Sequence, residues 1–281
     1  MIGLGRHFGT ATRVLAAGLV AGSLFAASAE AAPESRLVDA HWTAEGTGRA
    51  PDHEGWDSFV MRHVKPGADG VNRIDYGAVP VAVHQALKDH ITRLEQVTVT
   101  ALPRDAQFAY WVNLYNAVTV DLVLDAWPVD SIRKVKGGLF NLGPWDEKVV
   151  TVEGRDLSLN DIEHGILRPI WKDARIHYAV NCASVGCPNL ARQAWTAARV
   201  EEMLEDAARA YVNHPRGAAV RDGRLFVSSI YDWYMEDFGG TDAGVIAHLK
   251  AYADADLAAA LEGITDIADD RYDWSINGVR E

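Results

Sequence analysis

Residues 103–128 read PRDAQFAYWVNLYNAVTVDLVLDAWP. Pro103 suits the first turn of a helix, and Asp105 complements the positive N-terminal end of its dipole. Phe108, Trp111, Tyr115, Val118, Leu122 and Ala126 recur at helical spacing and make one apolar face. Pro128 stops the pattern. The spacing predicts a long helix from about Pro103 to Trp127. Asn113 and Asn116 lie three apart on it. Unpartnered buried amides cost on the order of 1–3 kcal/mol each, so both must be hydrogen-bonded. Either they tie this helix to another segment, or they face a ligand in a pocket.

Working outward, Trp56 to Val64 reads as a short amphipathic helix, and Gly70 to Tyr76 as a turn followed by an extended stretch. Pro80 to Thr98 is helical by spacing, with Val83, Leu87, Ile91 and Leu94 on one face. Val129 to Lys136 leads to a turn at Gly137-Gly138. Lys148 to Val152 and Arg155 to Leu157 flank Glu153-Gly154 as a hairpin. Ser158, with Asp161 three residues on, caps a helix expected to run through Arg168 and stop before Pro169. Arg175 to Cys182 looks like a strand. Thr196 to Asn213, Ile230 to Phe238 and Asp242 to Tyr252 look helical, Ala218 to Ser229 a hairpin, and Ile264 to Ile276 ends in an extended segment. This mixture predicts a single compact α+β domain over residues 56–281, with several helices packed on a modest, mainly antiparallel sheet. A polar lead-in, residues 32–55, precedes it.

The first 31 residues read as an export signal. Arg6 and Arg13 give a positive start, Val14 to Ala27 is apolar or small, and Ala29-Glu30-Ala31 fits a cleavage site. The apolar run is shorter than the roughly 20 residues of a comfortable span. The mature protein is therefore expected to be soluble and exported, periplasmic or secreted, with no stable membrane anchor after cleavage. A formal net charge of −12 argues against nucleic acid, which demands a basic surface, and against docking on anionic lipid. Nine Trp and nine Tyr serve a core or a ring-lined groove. The partner class left open is a small molecule or peptide. Nothing calls for a cofactor.

Residues 175–190 read RIHYAVNCASVGCPNL and hold the only two cysteines, Cys182 and Cys187. An exported protein meets an oxidising compartment, where such a pair closes as a disulfide. Chain entropy makes so small a loop worth about 2 kcal/mol. Alternatively Cys182 is a nucleophile, which requires a neighbouring histidine or a helix N-terminus to lower its pKa. No second Cys or His pair stands at zinc spacing, so no metal site is expected. If His177 and Cys182 share a strand, their odd offset places them on opposite faces, with His177 on the face of Ala179 and Asn181. His164 and Arg168, four apart, share a helix face that can reach the cysteine loop, while Glu163 points elsewhere; the plainer expectation is a surface helix with capping charges. Tyr231, Trp233, Tyr234 and Asp237 line the same groove or belong to the core.

Four blocks resemble a known family. Tyr110 to Ala117 (YWVNLYNA), Leu157 to Arg168 (LSLNDIEHGILR), Ile176 to Leu190 and Ile230 to Phe238 (IYDWYMEDF) are similar, in order, to motifs of the domain of unknown function 547 family. The resemblance spans about residues 56 to 276. Ala183 stands where the family often has Gly, and Gly186 where it often has Ser. The family carries no assigned activity, so the resemblance implies boundaries and fold rather than mechanism. A looser likeness is to papain- and transglutaminase-like hydrolases, in the order of a buried helix, His177 and Asp273; the helical cysteine of those enzymes is missing, and the likeness is one of fold alone.

Two functional expectations follow. One is a binding or scaffold domain with a polar groove built by Asn113, Asn116, His164, Arg168, His177 and Asn181 beside a Cys182–Cys187 disulfide. The other is a cysteine-dependent hydrolase or acyltransferase on an amide or thioester, with Cys182 as nucleophile and His164 or His177 as base. Whether the chain is an enzyme stays open at this point.

Overall fold

In the computed structural model, which describes residues 33–135 and 143–279, the long central helix forms as expected but is enclosed on every side. Helix α1 (Glu54–His63) runs into β1 (Val64–Pro66), which pairs antiparallel with β2 (Asn72–Ile74). Helices α2 (Val81–Glu95) and α3 (Arg104–Ala126) follow. A hairpin of β3 (Val150–Val152) and β4 (Arg155–Leu157) leads to α4 (Leu159–Ile162), a π-helical turn over Glu163–Leu167, and α5 (Arg168–Trp171). The short α6 (Ile176–Ala179) precedes the cysteine loop, and α7 (Val200–Val212) comes after it. A last sheet has β6 (Arg224–Ser228) at its centre, antiparallel to β5 (Ala218–Arg221) and parallel to β7 (Ile267–Arg271). Between β6 and β7 lie α8 (Ser229–Trp233), α9 (Asp242–Tyr252) and α10 (Ala255–Ala260). The fold is α+β, its strands divided among three small sheets. The expected leader, residues 1–31, and the Gly137-Gly138 turn lie outside the described residues.

Every residue of α3 from Ala106 to Val120 is buried, as fits a helix that is apolar all round rather than along one stripe. Of its buried polar side chains, Gln107, Tyr110, Asn113 and Asn116 are each committed to a different neighbour, whereas the Thr119 hydroxyl is buried without a partner among the described residues. Gln107 donates to the carbonyls of Ala44, Val99 and Leu102. Tyr110 donates to Leu94 O on α2. Asn113 donates to Trp195 O and accepts from Trp195 N–H, both at 2.9 Å. Asn116 donates to Ala179 O at 3.0 Å and accepts from Asn181 N–H at 2.8 Å. Each asparagine thus acts as a substitute peptide group, pairing an irregular segment as a strand would.

Two local expectations are corrected. The helix capped by Ser158 does not stop before Pro169. The capping box forms, but the chain then widens into the π-helical turn, where Arg168 N–H reaches Glu163 O. That shift leaves His164 O free, and Pro169, having no N–H, leaves Gly165 O free. The lead-in fills both: Arg36 N–H donates to His164 O at 3.1 Å and Val38 N–H to Gly165 O at 3.0 Å. The helical path therefore continues to Trp171.

The segment Arg175 to Cys182 is not a strand. Asp173 Oδ1 accepts the Arg175 N–H and starts a helical turn, α6, which packs on α7; the chain becomes extended only at Val180. Ile176, His177, Tyr178, Ala179, Val180 and Asn181 are all buried, so alternation along them carried no information about faces. The parity argument separating His177 from Cys182 loses its footing, because His177 lies in a helix.

The lead-in can lie this close only because position 165 has no side chain: a Cβ there would stand 2.9 Å from Val38 Cβ. Gly165→Ala is expected to push residues 36–38 off the turn, at a packing cost of about 1–3 kcal/mol partly offset by better helix propensity. Faster amide exchange at Arg36 and Val38 is the signature to measure; unchanged protection there would contradict this packing. Asn116→Ala should leave Ala179 O and Asn181 N–H without partners and lower stability by about 1–3 kcal/mol per buried group in urea unfolding.

Candidate functional site

The π-helical turn gathers a charged cluster under the surface. With i→i+5 bonding, residues five apart come to one side, so Glu163 as well as His164 faces Arg168. All three are buried, as is His177 on α6. The expectation of a surface helix with capping charges is therefore corrected, and so is the idea that Glu163 points away. Asp237, just beyond α8, completes the group. One of its oxygens, Oδ2, accepts from Arg168 Nε at 2.6 Å and from His177 Nε2 at 2.7 Å. Arg168 Nη2 reaches Glu236 at 2.8 Å, and Nη1 donates to Pro33 O at 2.8 Å. His177 Nδ1 lies 3.3 Å from Glu163 Oε1, an ion-pair distance without the alignment of a directed hydrogen bond. The Tyr234 ring lies over His177, centroids 4.2 Å apart and nearly parallel, with the Arg168 guanidinium 4.9 Å from its centre.

The charges of this cluster are set by burial and pairing together. Burial alone would raise the Glu163 carboxyl, but the positive field of His164, the close approach and charge of His177, and Arg168 bring it down to about 2. Asp237 is likewise raised by burial and, on balance, lowered to about 2 by His177 and Arg168. For His177, burial disfavours the cation, yet Asp237 and Glu163 outweigh it and raise its pKa. His164 differs. Burial lowers it to about 4, with Glu163 opposing and Arg168 reinforcing. At neutral pH it is uncharged, so the working partners of Glu163 are His177 and Arg168. Arg168 Nη1, 3.2 Å away, can only donate, so His164 Nδ1 is the acceptor and the ring proton sits on Nε2.

Cys182 and Cys187 are joined in a disulfide. The Cys182 sulfur has two polar neighbours, Ser184 Oγ and Tyr272 Oη, each at 3.1 Å. Burial holds the Tyr272 hydroxyl well above its ordinary pKa, so neither neighbour is a base at neutral pH. Among the described residues no imidazole is hydrogen-bonded to Cys182. His177 pairs with Asp237, and the Asp273 carboxylate accepts from Ser275 N–H, so the papain-like ordering of His177 and Asp273 is not joined in space by any hydrogen bond.

The loop after the disulfide is stitched to the C-terminal segment. Val185 N–H donates to Ser275 O and Gly186 N–H to Asp273 O, both at 2.8 Å, and Asn277 N–H donates to Ala183 O at 2.9 Å. Asn181 Oδ1 accepts from Ala183 N–H and Asn277 Nδ2. Against this stitched wall opens a cleft of roughly 770 Å³, lined by Val185 and Gly186, by residues 271–275, by Pro215 and Arg216, and by Asp130, Ser131 and Lys134. The side-chain amides of Asn113, Asn116 and Asn181 are committed to backbone, and none of these asparagines borders the cleft; His164, Arg168 and His177 lie in the buried cluster. Of the expected groove, the cysteine loop alone reaches the cleft. Arg216, Tyr272 and Trp274 were not singled out as site residues in the sequence. Their one visible signal was a guanidinium and rings in turn and terminal segments.

His84, Asp121 and Asp125 also come together, between α2 and α3. Lys88 Nζ stands 2.9 and 2.8 Å from those two carboxylates and already supplies their cation.

Residues 99–212 match the family described as "Protein of unknown function, DUF547". The chain carries a DUF547-family domain. The match takes in α3, the π-helical turn and the cysteine loop, that is, three of the four resembling blocks; the block at Ile230–Phe238, which supplies Asp237, lies beyond it. No curated protein and no solved structure matches the chain.

The cluster gives a pH profile of stability. His164 stays neutral in the folded protein down to about pH 4 but takes up a proton near 6.5 when unfolded, so acidification through that window favours unfolding. Glu163 and Asp237 contribute stability above their unfolded values near 4, lost as pH falls towards about 2. His177 contributes below about 6.5 and loses it as pH rises through its raised value. Stability should peak near neutrality. The buried His53 and His90 and the half-buried His248, each lowered by desolvation to about 4, add to the acid limb. In urea unfolding across pH 7 to 4, His164→Gln should reduce the proton uptake on unfolding by about one; an unchanged slope would mean that His164 is charged in the fold.

Proposed function

We propose that this is an exported binding domain whose ligand occupies the cleft beside the disulfide loop. The observation carrying the reading is that the cleft wall is fixed from behind. Val185 and Gly186 are pinned by backbone bonds to Ser275 and Asp273, and the loop is closed by Cys182 and Cys187. A cleft of roughly 770 Å³ lies within the range of small-molecule sites, which are largely preformed and carry a few placed polar groups. A closed disulfide suits an oxidising compartment, in keeping with the leader read in residues 1–31. The buried charged cluster positions α6, and so the start of the cysteine loop, without itself meeting the ligand.

The test is a thermal-shift screen with anionic, cationic and neutral small molecules on the oxidised protein, run beside Val185→Trp, which places an indole in the cleft. Some compounds should raise the midpoint of the wild type and not of the variant. Hits that persist undiminished in Val185→Trp would place the ligand elsewhere and end the proposal. Thiol titration of the native protein should find no reactive sulfur before reduction. A single fast-labelling thiol, abolished by Cys182→Ala, would favour the cysteine hydrolase instead.

A further inference from the structure

The cleft has a charge character opposite to that of the molecule around it. The chain carries a formal charge of −12. The charged residues lining the cleft are Lys134, Arg216 and Arg271 against Asp130 and Asp273, three positive and two negative. Both acids are already engaged: Asp130 pairs with Lys134 at 2.8 Å, and Asp273 accepts from the backbone of Ser275. Among the described residues, neither Arg216 nor Arg271 has a carboxylate partner.

Arg216 is the unusual one. Two other arginines drawn into the protein, Arg168 and Arg175, each hold two carboxylates, Asp237 with Glu236 and Asp173 with Glu201. Arg216, half-buried, meets only neutral acceptors, Val185 O at 3.0 Å and Asn189 Oδ1 at 2.7 Å. Its Nε is enclosed with no acceptor at all. The Tyr211 ring supports the guanidinium at 5.5 Å. A charge withdrawn from water without a counter-charge is costly, and burial accordingly lowers its pKa. A guanidinium has five N–H groups. Two are engaged, one is enclosed, and two terminal ones remain on a plane already oriented by the disulfide loop. That is a prepared donor pair for an oxyanion.

We propose that the cleft binds a small molecule through its anionic group, a carboxylate or a phosphate, with Arg216 as the anchor and Arg271 at the rim. This rests on the cleft being the binding site and adds the chemical class of what enters it. One of the two acceptors that orient Arg216, Val185 O, belongs to the loop closed by Cys182 and Cys187, and the other, Asn189 Oδ1, follows it two residues on, so the anchor is tied to the disulfide loop.

The oxidised full chain is titrated calorimetrically with inorganic phosphate and, separately, with benzoate; benzamide serves as the uncharged control. At least one anion should bind saturably and benzamide should not, with the phosphate and benzoate arms separating the two sources of charge. Arg216→Gln should weaken binding tenfold or more, Arg216→Lys less, and the exposed Arg271→Gln about threefold, one arginine at the rim being worth a fraction of the anchor. Far-UV circular dichroism and urea midpoints establish that the variants fold; if Arg216→Gln does not, Arg271→Gln decides. Absence of saturable binding by either anion, or wild-type affinity in the folded variants, overturns the assignment. Should neutral or cationic molecules protect the wild type and not Val185→Trp, the cleft remains a binding site and the anionic class alone falls.

Discussion

A polar group on a helix enclosed on all sides can find its partner only inside the protein, and on α3 all the side-chain amides do so, while among the described residues the Thr119 hydroxyl does not. Water is excluded along most of its length, so Gln107, Asn113 and Asn116 must meet their hydrogen-bonding needs inside the protein. They do so on backbone that has no regular partner of its own: the lead-in at Ala44, the loop at Trp195, and the turn from α6 into the cysteine segment. Each asparagine presents both halves of an amide and so fixes the position and direction of the segment it meets. The relay continues outward. Asn116 holds Asn181, Asn181 holds Ala183 and Asn277, and the C-terminal segment holds Val185 and Gly186. The cleft wall is thus tied, amide by amide, to the centre of the core.

The charged groups divide by burial into two kinds of work. Glu163, His177, Asp237 and Arg168 neutralise one another beneath Tyr234, and removing water from such a set is tolerable because each charge has an opposite within reach. The same cluster joins α6, the π-helical turn and the stretch after α8, and Arg168 adds the lead-in through Pro33 O. Arg216 stands outside this economy of pairs. It is oriented by neutral acceptors at an open cleft, where an incoming group can supply what the protein does not. Sites that recognise anions are built in this way, with donors prearranged so that little order is lost on binding.

Much of the fold was legible in the residues. Proline positions bounded α3, the Ser158 and Asp161 capping box formed as read, and the hairpin expected within Ala218 to Ser229 formed, turning at Asp222 and Gly223 with both at positive φ. The cysteine pair, left open in the sequence between staple and nucleophile, is joined in the structure. The misreadings have a common cause. The rule that proline ends a helix assumes that nothing else satisfies the carbonyls its missing N–H leaves free, and here the Arg36 and Val38 N–H groups of the lead-in do. The rule that alternation marks a strand assumes one wet face, and Ile176 to Asn181 have none. Glu163 was set aside on helical geometry that the π turn does not obey.

The sequence by itself determined the α+β class, most element positions, the family resemblance and the presence of a polar, cysteine-bearing segment, because spacing, caps and turn residues are local properties. Where those polar residues go was decided only in three dimensions. Asn113, Asn116 and Asn181 became internal peptide substitutes, His164, His177 and Arg168 a buried charge cluster, and the open cleft fell to Arg216, Tyr272 and Trp274. The reason is physical: a side chain's chemistry is local, but its exposure and its partners depend on segments that lie as far as 201 residues away.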